Sequence, residues 1–244
     1  MGTGPGRMRV WESVGSPDVA PPVVLVHGIV SSRYLLPTAR WLAQRRPVVA
    51  VDLPGFGASA RPRRQPGIRV LADALTAALG ELGVDRPVVV GHSLGVHVVV
   101  DLAVRHPEMV GGVVLVGPTG DPAAATVARL SWRWLACAVR EPLGFNLLVL
   151  REVAEVGPRR MLASARHAVA DPLVAKLAQV ALPALVLRGS ADRIAPPPWV
   201  QEVDARLPDS RRRVLAGVAH TVVYSAPDRV GALVDDFAAG AMPA

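Results

Sequence analysis

The sequence has a single cysteine, Cys137, and a single lysine, Lys176, among its 244 residues. With one cysteine no disulfide can form within the chain, and this favours a reducing compartment such as the cytoplasm. No uninterrupted apolar stretch reaches the roughly 20 residues that span a bilayer, and residues 1–11 lack the apolar core of a signal peptide. We therefore expect a soluble, cytoplasmic protein with no membrane insertion.

Aromatic residues are also scarce, at 4% of the chain, although the net charge is +7. The positive charge comes from arginines spread along the sequence rather than gathered on one helix. Proteins that bind single strands combine a basic groove with aromatic stacking platforms, and this sequence has no such combination. We expect a small-molecule substrate, no nucleic-acid partner, no metal and no cofactor. The sequence carries no signal for an oligomeric state.

Short apolar runs alternate with helical patterns along most of the chain. Continuous β-branched runs of this kind are typical of strands covered on both faces, and their alternation with helices predicts a mostly parallel twisted sheet. Residues 8–14 could add an antiparallel edge strand. The predicted strands are 23–26, 48–51, 88–90, 110–116, 184–187 and 213–215. The predicted helices of this part are 34–44, 68–82, 94–105, 197–207 and 225–238.

Residues 121–182 break this alternation, because they contain no convincing strand. Four helical patterns separated by proline and glycine occupy the interval, at 123–139, 142–155, 158–169 and 173–180. A helical insertion between two strands would lie over the carboxyl ends of the sheet, where open α/β sheets bind ligands. We predict a core of residues 1–120 and 183–244, with a cap (lid) formed by residues 121–182.

The most informative motif is G-H-S-L-G at residues 91–95. It follows a predicted strand and precedes a predicted helix, which is the context of a nucleophile elbow. Glycines at both ends leave room for the strained backbone that the central serine requires. Ser93 is therefore the predicted nucleophile.

A serine hydroxyl needs a base and an acid that orients the base. His220 follows the last predicted strand and is the predicted base, in preference to five other histidines: His27, His92, His97, His106 and His167. Asp192 follows the strand before it and is the predicted acid, with Asp121 as its rival. The chain order Ser93, Asp192, His220 is the order expected for this type of sheet.

Two backbone amides are predicted to stabilise the oxyanion, those of Ile29 and Leu94. Ile29 follows a strand that ends in His27 and Gly28, and Leu94 begins the helix after the elbow. The loop 52–59 is predicted to frame the pocket without reacting.

Five motifs in this order resemble the α/β-hydrolase fold family. They are V-H-G-I-V-S-S, D-L-P-G-F-G-A-S, G-H-S-L-G, G-S-A-D-R-I-A-P and G-V-A-H-T. The resemblance implies a sheet with helices on both faces and a helical cap inserted after the sixth strand. It also implies the roles given above to Ser93, Asp192, His220, Ile29 and Leu94. A serine at the elbow makes the chain similar to the small capped esterases, lactonases and carbon–carbon bond hydrolases.

The sequence thus predicts a serine hydrolase that acts on a carboxylic ester, thioester or lactone through an acyl-serine intermediate. One alternative is a carbon–carbon bond hydrolase or cyclase of secondary metabolism with the same triad. Another is a hydrolase-like ligand receptor or scaffold with little turnover. Apolar residues of the cap are substrate-binding candidates, although packing of the cap on the sheet also explains them: Trp132, Trp134, Leu143 and Phe145. Cap arginines could bind a carboxylate or lie on solvated faces: Arg129, Arg133, Arg140 and Arg151.

Overall fold

Seven strands form one sheet in the computed structural model, which describes residues 8–13 and 21–241. Their order across the sheet is β1-β3-β2-β4-β5-β6-β7, and all neighbours are parallel except the antiparallel pair β1 and β3. The strands are β1 (Arg9–Glu12), β2 (Val23–Val26), β3 (Val48–Asp52), β4 (Val88–His92), β5 (Gly112–Val116), β6 (Ala184–Gly189) and β7 (Ser210–Leu215). The predicted parallel sheet is confirmed, and so is the antiparallel edge strand. Residues 1–7, 14–20 and 242–244, which belong to the predicted core and in the case of residue 14 to the predicted edge strand, lie outside the described residues.

The strands alternate their side chains between two apolar layers, as the period of two requires. Val24 and Val26 of β2 pack into the layer that holds α2 and α3, whereas Val23 and Leu25 pack into the layer that holds α1 and α10. The helices are α1 (Leu36–Leu42), α2 (Ile68–Leu82), α3 (Leu94–Arg105), α4 (Val127–Ala138), α5 (Leu143–Val156), α6 (Pro158–Ala170), α7 (Leu173–Leu177), α8 (Pro197–Arg206), α9 (Val222–Ser225) and α10 (Pro227–Ala241). The predicted arrangement of helices on both faces is confirmed.

Some predicted boundaries differ from the structure for local reasons. The predicted helix 34–44 is a 3₁₀ turn, Ser32–Leu35, followed by α1. The predicted helix 225–238 corresponds to α10, which begins at Pro227. Ser225 ends the separate short helix α9, because Pro227 disfavours helical backbone at the residue before it. β7 begins at Ser210, earlier than predicted, because this edge strand is largely exposed and its arginines hide the apolar pattern.

The helices α4 to α7 lie between β5 and β6, so they follow the fifth strand of the described residues rather than the sixth. Two buried carboxylates join them to the rest of the chain. Glu152 of α5 accepts hydrogen bonds from the hydroxyl and amide of Ser31 at 2.7 and 3.3 Å. Glu141 accepts the amide N–H of Thr221 at 3.0 Å. These contacts attach the helical segment to the loops that follow β2 and β7.

Candidate active site

The turn between β4 and α3 is strained at Ser93, whose φ and ψ are 57° and −117°. Positive φ is uncommon for a residue with a side chain and costs about 1–3 kcal/mol. Among the described non-glycine residues only Arg86 shares it. This backbone conformation at Ser93 lets the chain pass directly from β4 into α3. It is the local geometry predicted for the G-H-S-L-G motif.

The two glycines of this motif are required by close contacts between backbones. A Cβ atom at Gly95 would lie 2.5 Å from the carbonyl oxygen of Val26 and 2.7 Å from that of His27. At Gly91 it would lie 2.7 Å from the carbonyl oxygen of Gly95. These distances are shorter than van der Waals contact, so the turn can form only with glycine at both positions.

Asp192 and His220 form a buried hydrogen-bonded pair at the ends of two neighbouring strands. The Oδ2 atom of Asp192 lies 2.9 Å from Nδ1 of His220, and Oδ1 accepts the amide N–H groups of Ile194 and Ala195 at 2.8 and 3.0 Å. Since the carboxylate accepts from Nδ1–H, the other ring nitrogen, Nε2, is an acceptor when His220 is neutral. Nε2 is buried and has no hydrogen-bond partner within residues 8–13 and 21–241.

Charge and burial shift the pKa values of this pair in opposite directions. Burial alone would lower the pKa of His220, but the negative charge of Asp192 and its hydrogen bond raise that pKa above the ordinary 6.5. Burial would likewise raise the pKa of Asp192, yet the charge and hydrogen bond of His220 and the two amides lower it. The acid is therefore ionised at neutral pH and stabilises a protonated imidazole.

The strand ends bring this pair to the turn that carries Ser93. The amide N–H of Ser93 donates to the carbonyl of Val116 at 2.9 Å, and a Cβ atom at the next residue, Gly117, would lie 2.9 Å from the ring of His220. The rings of His92 and His220 have their centroids 4.7 Å apart. Ser93, Asp192 and His220 thus follow the carboxyl ends of β4, β6 and β7, at one edge of the sheet.

The loop after β2 abuts Ser93 from the other side. A Cβ atom at Gly28 would lie 3.0 Å from Cβ of Ser93, and Ile29 and Leu94 line the same cavity as Ser93. Neither amide N–H, of Ile29 or of Leu94, has a hydrogen-bond acceptor in the described part of the chain. Two unpaired amide donors therefore adjoin the serine.

A hydrogen-bond network around Tyr34 connects this loop to His220. The amide N–H of Gly28 donates to the hydroxyl of Tyr34 at 2.7 Å, and that hydroxyl lies 2.7 Å from Nδ1 of His92. Nε2 of His92 lies 3.1 Å from the carbonyl oxygen of His220, and a carbonyl can only accept, so Nε2 carries the proton. Burial, with the charge of His220, lowers the pKa of His92 to about 3, so its ring is neutral. The Tyr34 hydroxyl therefore donates to Nδ1 of His92.

Apart from His92, the rival residues make other contacts. Asp121 caps a 3₁₀ turn and forms an ion pair with Arg133 at 2.5 Å. His27 accepts the amide N–H of Leu53 at 2.8 Å and packs as a buried loop residue. His106 ends α3, and His167 lies 3.2 Å from the carbonyl of Gln65.

His97 forms a second buried pair with a carboxylate. Its Nδ1 lies 3.0 Å from Asp171, and its Nε2 lies 3.1 Å from the hydroxyl of Thr119. Asp171 also binds Lys176 at 2.5 Å, so this carboxylate joins α3 to α7. Thr119 faces the cavity that contains Ser93, and no motif in the sequence predicts this position.

That cavity has a volume of about 350 Å³, and among the described residues no charged side chain lines it. Its walls are largely apolar and come from α4, α6 and the loops around Ser93. The lining residues are Ile29, Ser93, Leu94, Thr119, Val127, Leu130, Ser131, Trp134, Leu135, Val153, Met161, Leu162, Ala165, Ala168 and Ile194. Spacings of three and four residues on α4 and α6 place these side chains on the inner face of each helix.

The four apolar candidates of the helical segment fall in three environments. Trp134 lines the cavity. Phe145 is buried and packs edge-on against Tyr34, outside that cavity. Trp132 and Leu143 are 71% and 74% exposed and do not line it, because they lie on the outer faces of α4 and α5. The four candidate arginines do not line it either, and Arg133 is paired with Asp121.

No group of three or more metal-ligating side chains comes together within residues 8–13 and 21–241. Over the same residues, no helix combines the length and apolar character needed to cross a bilayer.

A parallel sheet with a strained serine at a strand-to-helix turn, followed along the chain by an acid and a histidine, defines a hydrolase of the α/β type. Comparison with known proteins agrees. The family described as the alpha/beta hydrolase fold matches residues 21–138. A pimeloyl-[acyl-carrier protein] methyl ester esterase of Neisseria meningitidis (serogroup C) is 30% identical over 95% of this chain and 99% of its own length.

Solved structures show the same fold. A thermophilic esterase from Thermogutta terrifontis superposes with a TM-score of 0.82 at 21% identity, covering 97% of this chain and 94% of that one. A meta-cleavage product hydrolase from Pseudomonas fluorescens has a TM-score of 0.77 at 19% identity, covering 96% and 95%. This chain belongs to the alpha/beta hydrolase family, and it is a hydrolase.

Proposed function

We propose that the protein hydrolyses carboxylic esters of apolar acyl groups, including thioesters and lactones, through an acyl-serine intermediate. The observation that carries the proposal is the buried Asp192–His220 pair beside the strained Ser93 at an uncharged cavity. The name of the Neisseria relative, a methyl ester esterase, supports the ester as the bond that is cleaved.

In the proposed reaction, Oγ of Ser93 attacks the carbonyl carbon while Nε2 of His220 takes the hydroxyl proton. The carbonyl oxygen becomes negative and accepts hydrogen bonds from the amides of Ile29 and Leu94. The C–O bond then breaks, and His220 returns the proton to the leaving alcohol. Water, deprotonated by the same imidazole, releases the acid from Ser93. Asp192 keeps Nδ1 protonated and stabilises the imidazolium in both halves.

We also propose that residues 121–182 act as a cap over this site and that residues 1–120 and 183–244 form the core. The helices α4 and α6 supply much of the cavity wall, and Glu141 and Glu152 attach the segment to the core loops. A cytoplasmic location and the absence of a nucleic-acid partner stay predictions.

Two observations favour ester hydrolysis over a carbon–carbon bond hydrolase and over a ligand receptor. A diketone bearing a carboxylate, of the kind produced by ring cleavage, would find no cationic side chain in the cavity. A pure receptor has no use for a buried acid–imidazole pair at the sheet edge that carries the strained Ser93.

A series of p-nitrophenyl esters tests the proposed function. We expect kcat/KM to rise by about fourfold for each CH₂ added to the acyl chain, since burial of one CH₂ contributes about 0.8 kcal/mol, until the cavity is filled. A hemisuccinate ester serves as the charged control and should be a poor substrate. A kcat/KM that does not change with acyl chain length, or a higher kcat/KM for the hemisuccinate, contradicts the proposal.

The substitution Tyr34→Phe tests whether the network positions the site. Removing the hydroxyl leaves Gly28 N–H and Nδ1 of His92 without their partner. We expect kcat to fall by about tenfold with KM nearly unchanged, and stability to fall by about 1–3 kcal/mol. The readouts are kcat, KM and the unfolding free energy in urea. Tyr224→Phe is the matched control, and an unchanged kcat in folded Tyr34→Phe rules out the positioning role.

A further inference from the structure

Exposed apolar side chains are concentrated on one part of the molecule. Elsewhere in the described residues the large exposed hydrophobic side chains are scattered, at Trp11, Val70, Leu162 and Val214. On α4, α5 and the turn between them six occur within 19 residues. We call these six the apolar face: Trp132, Leu135, Val139, Leu143, Leu147 and Leu150.

Helical spacing places these side chains in two stripes. Trp132 and Leu135 are three residues apart on α4, and Val139 follows four residues later at its end. The three leucines repeat at spacings of four and three on α5. Because such spacings return to the same side of a helix, each stripe points one way. The opposite side of α5 is buried against the core and the inner side of α4 lines the cavity, so both helices are apolar on two sides. The outer side of a surface helix is normally polar, whereas here large apolar side chains are exposed on it.

The charges that accompany the apolar face are positive. Arg129, Arg140 and Arg151 are exposed, Arg151 in an ion pair with Glu155, and α4 contains no acidic residue. The acids of the same stretch are buried or paired. Glu141 and Glu152 are buried, and Glu155 is paired with Arg33 and Arg151. An apolar stripe with flanking arginines is complementary to an anionic surface with an apolar interior.

The apolar face is continuous with the cavity that contains Ser93. Leu135 is 57% exposed and also lines the cavity. Leu162 on α6 is 39% exposed and lines it as well. An apolar molecule held at this face therefore has an unbroken apolar surface leading to the interior.

We propose that the apolar face docks on the surface of a bilayer that contains anionic lipids. The apolar side chains enter the boundary between headgroups and acyl chains, and the arginines bind lipid phosphates. A second copy of the chain fits less well, because the same arginines would face one another. The proposal concerns binding alone and does not depend on which ester the enzyme hydrolyses.

Co-sedimentation with vesicles tests this proposal on the full chain. We expect binding to phosphatidylcholine vesicles that contain about one third phosphatidylglycerol, and much weaker binding to pure phosphatidylcholine or at high salt. The double variant Val139→Ser/Leu150→Ser should lose at least about tenfold in partition coefficient. Val70→Ser, which removes an exposed side chain on α2, is the matched control and should bind like the parent.

Two further measurements show whether a loss of vesicle binding is independent of the proposed hydrolysis and of misfolding. Ser93→Ala should bind vesicles like the parent, so that failure of the proposed hydrolysis does not affect this result. The double variant should still hydrolyse a short water-soluble ester at the parental rate, which shows that it is folded. Absence of parental binding to the anionic vesicles overturns the proposal. So does a parental dimer, measured by light scattering, that the double variant dissociates, because a second copy then covers the apolar face.

Discussion

Ser93→Ala is expected to lower kcat for a p-nitrophenyl ester by at least about 10⁴-fold, because no acyl-enzyme can form without the hydroxyl. The expected residual rate comes from the amide donors and from binding of the ester in the cavity. Initial rates at saturating ester measure the effect.

Ser131→Ala is the matched control for this variant, since Ser131 is the other serine that lines the cavity. It should retain kcat within a few-fold of the parent. If Ser93→Ala keeps more than about a tenth of the parental kcat, Ser93 is not the nucleophile.

Asp192→Asn is expected to lower kcat by about 10⁴-fold while the fold stays intact. The amide cannot hold the imidazole of His220 in the Nδ1–H form, so Nε2 is no longer available as a base. Asp121→Asn is the matched control, because it changes the rival acid at its ion pair with Arg133. Equal losses in the two variants would contradict the assignment of Asp192.

The pH dependence of kcat/KM is a second test of the role of Asp192. His220 acts as a base only when it is neutral, so kcat/KM should fall as the pH drops through its pKa. Because Asp192 raises that pKa in the native enzyme, the midpoint of the acid limb should lie above 6.5. In Asp192→Asn only burial acts strongly on the imidazole, and the midpoint should move to lower pH. A midpoint that stays in place shows that Asp192 does not set the pKa.

The strands and the elbow could be predicted because their signals are local. A valine-rich run such as β4 has little alternative to a strand covered on both faces, and Gly91 and Gly95 report a close backbone approach that the structure contains. The order of Ser93, Asp192 and His220 then followed from where each strand ends. No separate signal is needed to predict that these three residues lie at the same edge of the sheet, because parallel strands end at one edge.

The contacts that cross between distant segments could not be predicted in this way. Nothing near Tyr34 in sequence indicates that its hydroxyl joins Gly28 to His92, and Glu152 is separated by 121 residues from Ser31, which it binds. The helices α4 and α5 posed a related problem. They are apolar on two sides, so periodicity could not tell that Trp132 lies outside while Trp134 faces the cavity.

Labelling with a fluorophosphonate, followed by peptide mass spectrometry, tests the central claim most directly. The reagent phosphonylates a serine only when a neighbouring base activates the hydroxyl. We predict one adduct per chain, located on Ser93, at neutral pH, with labelling lost in both Ser93→Ala and His220→Ala. Absence of an adduct in the parent, an adduct on another residue, or undiminished labelling of His220→Ala would contradict the account.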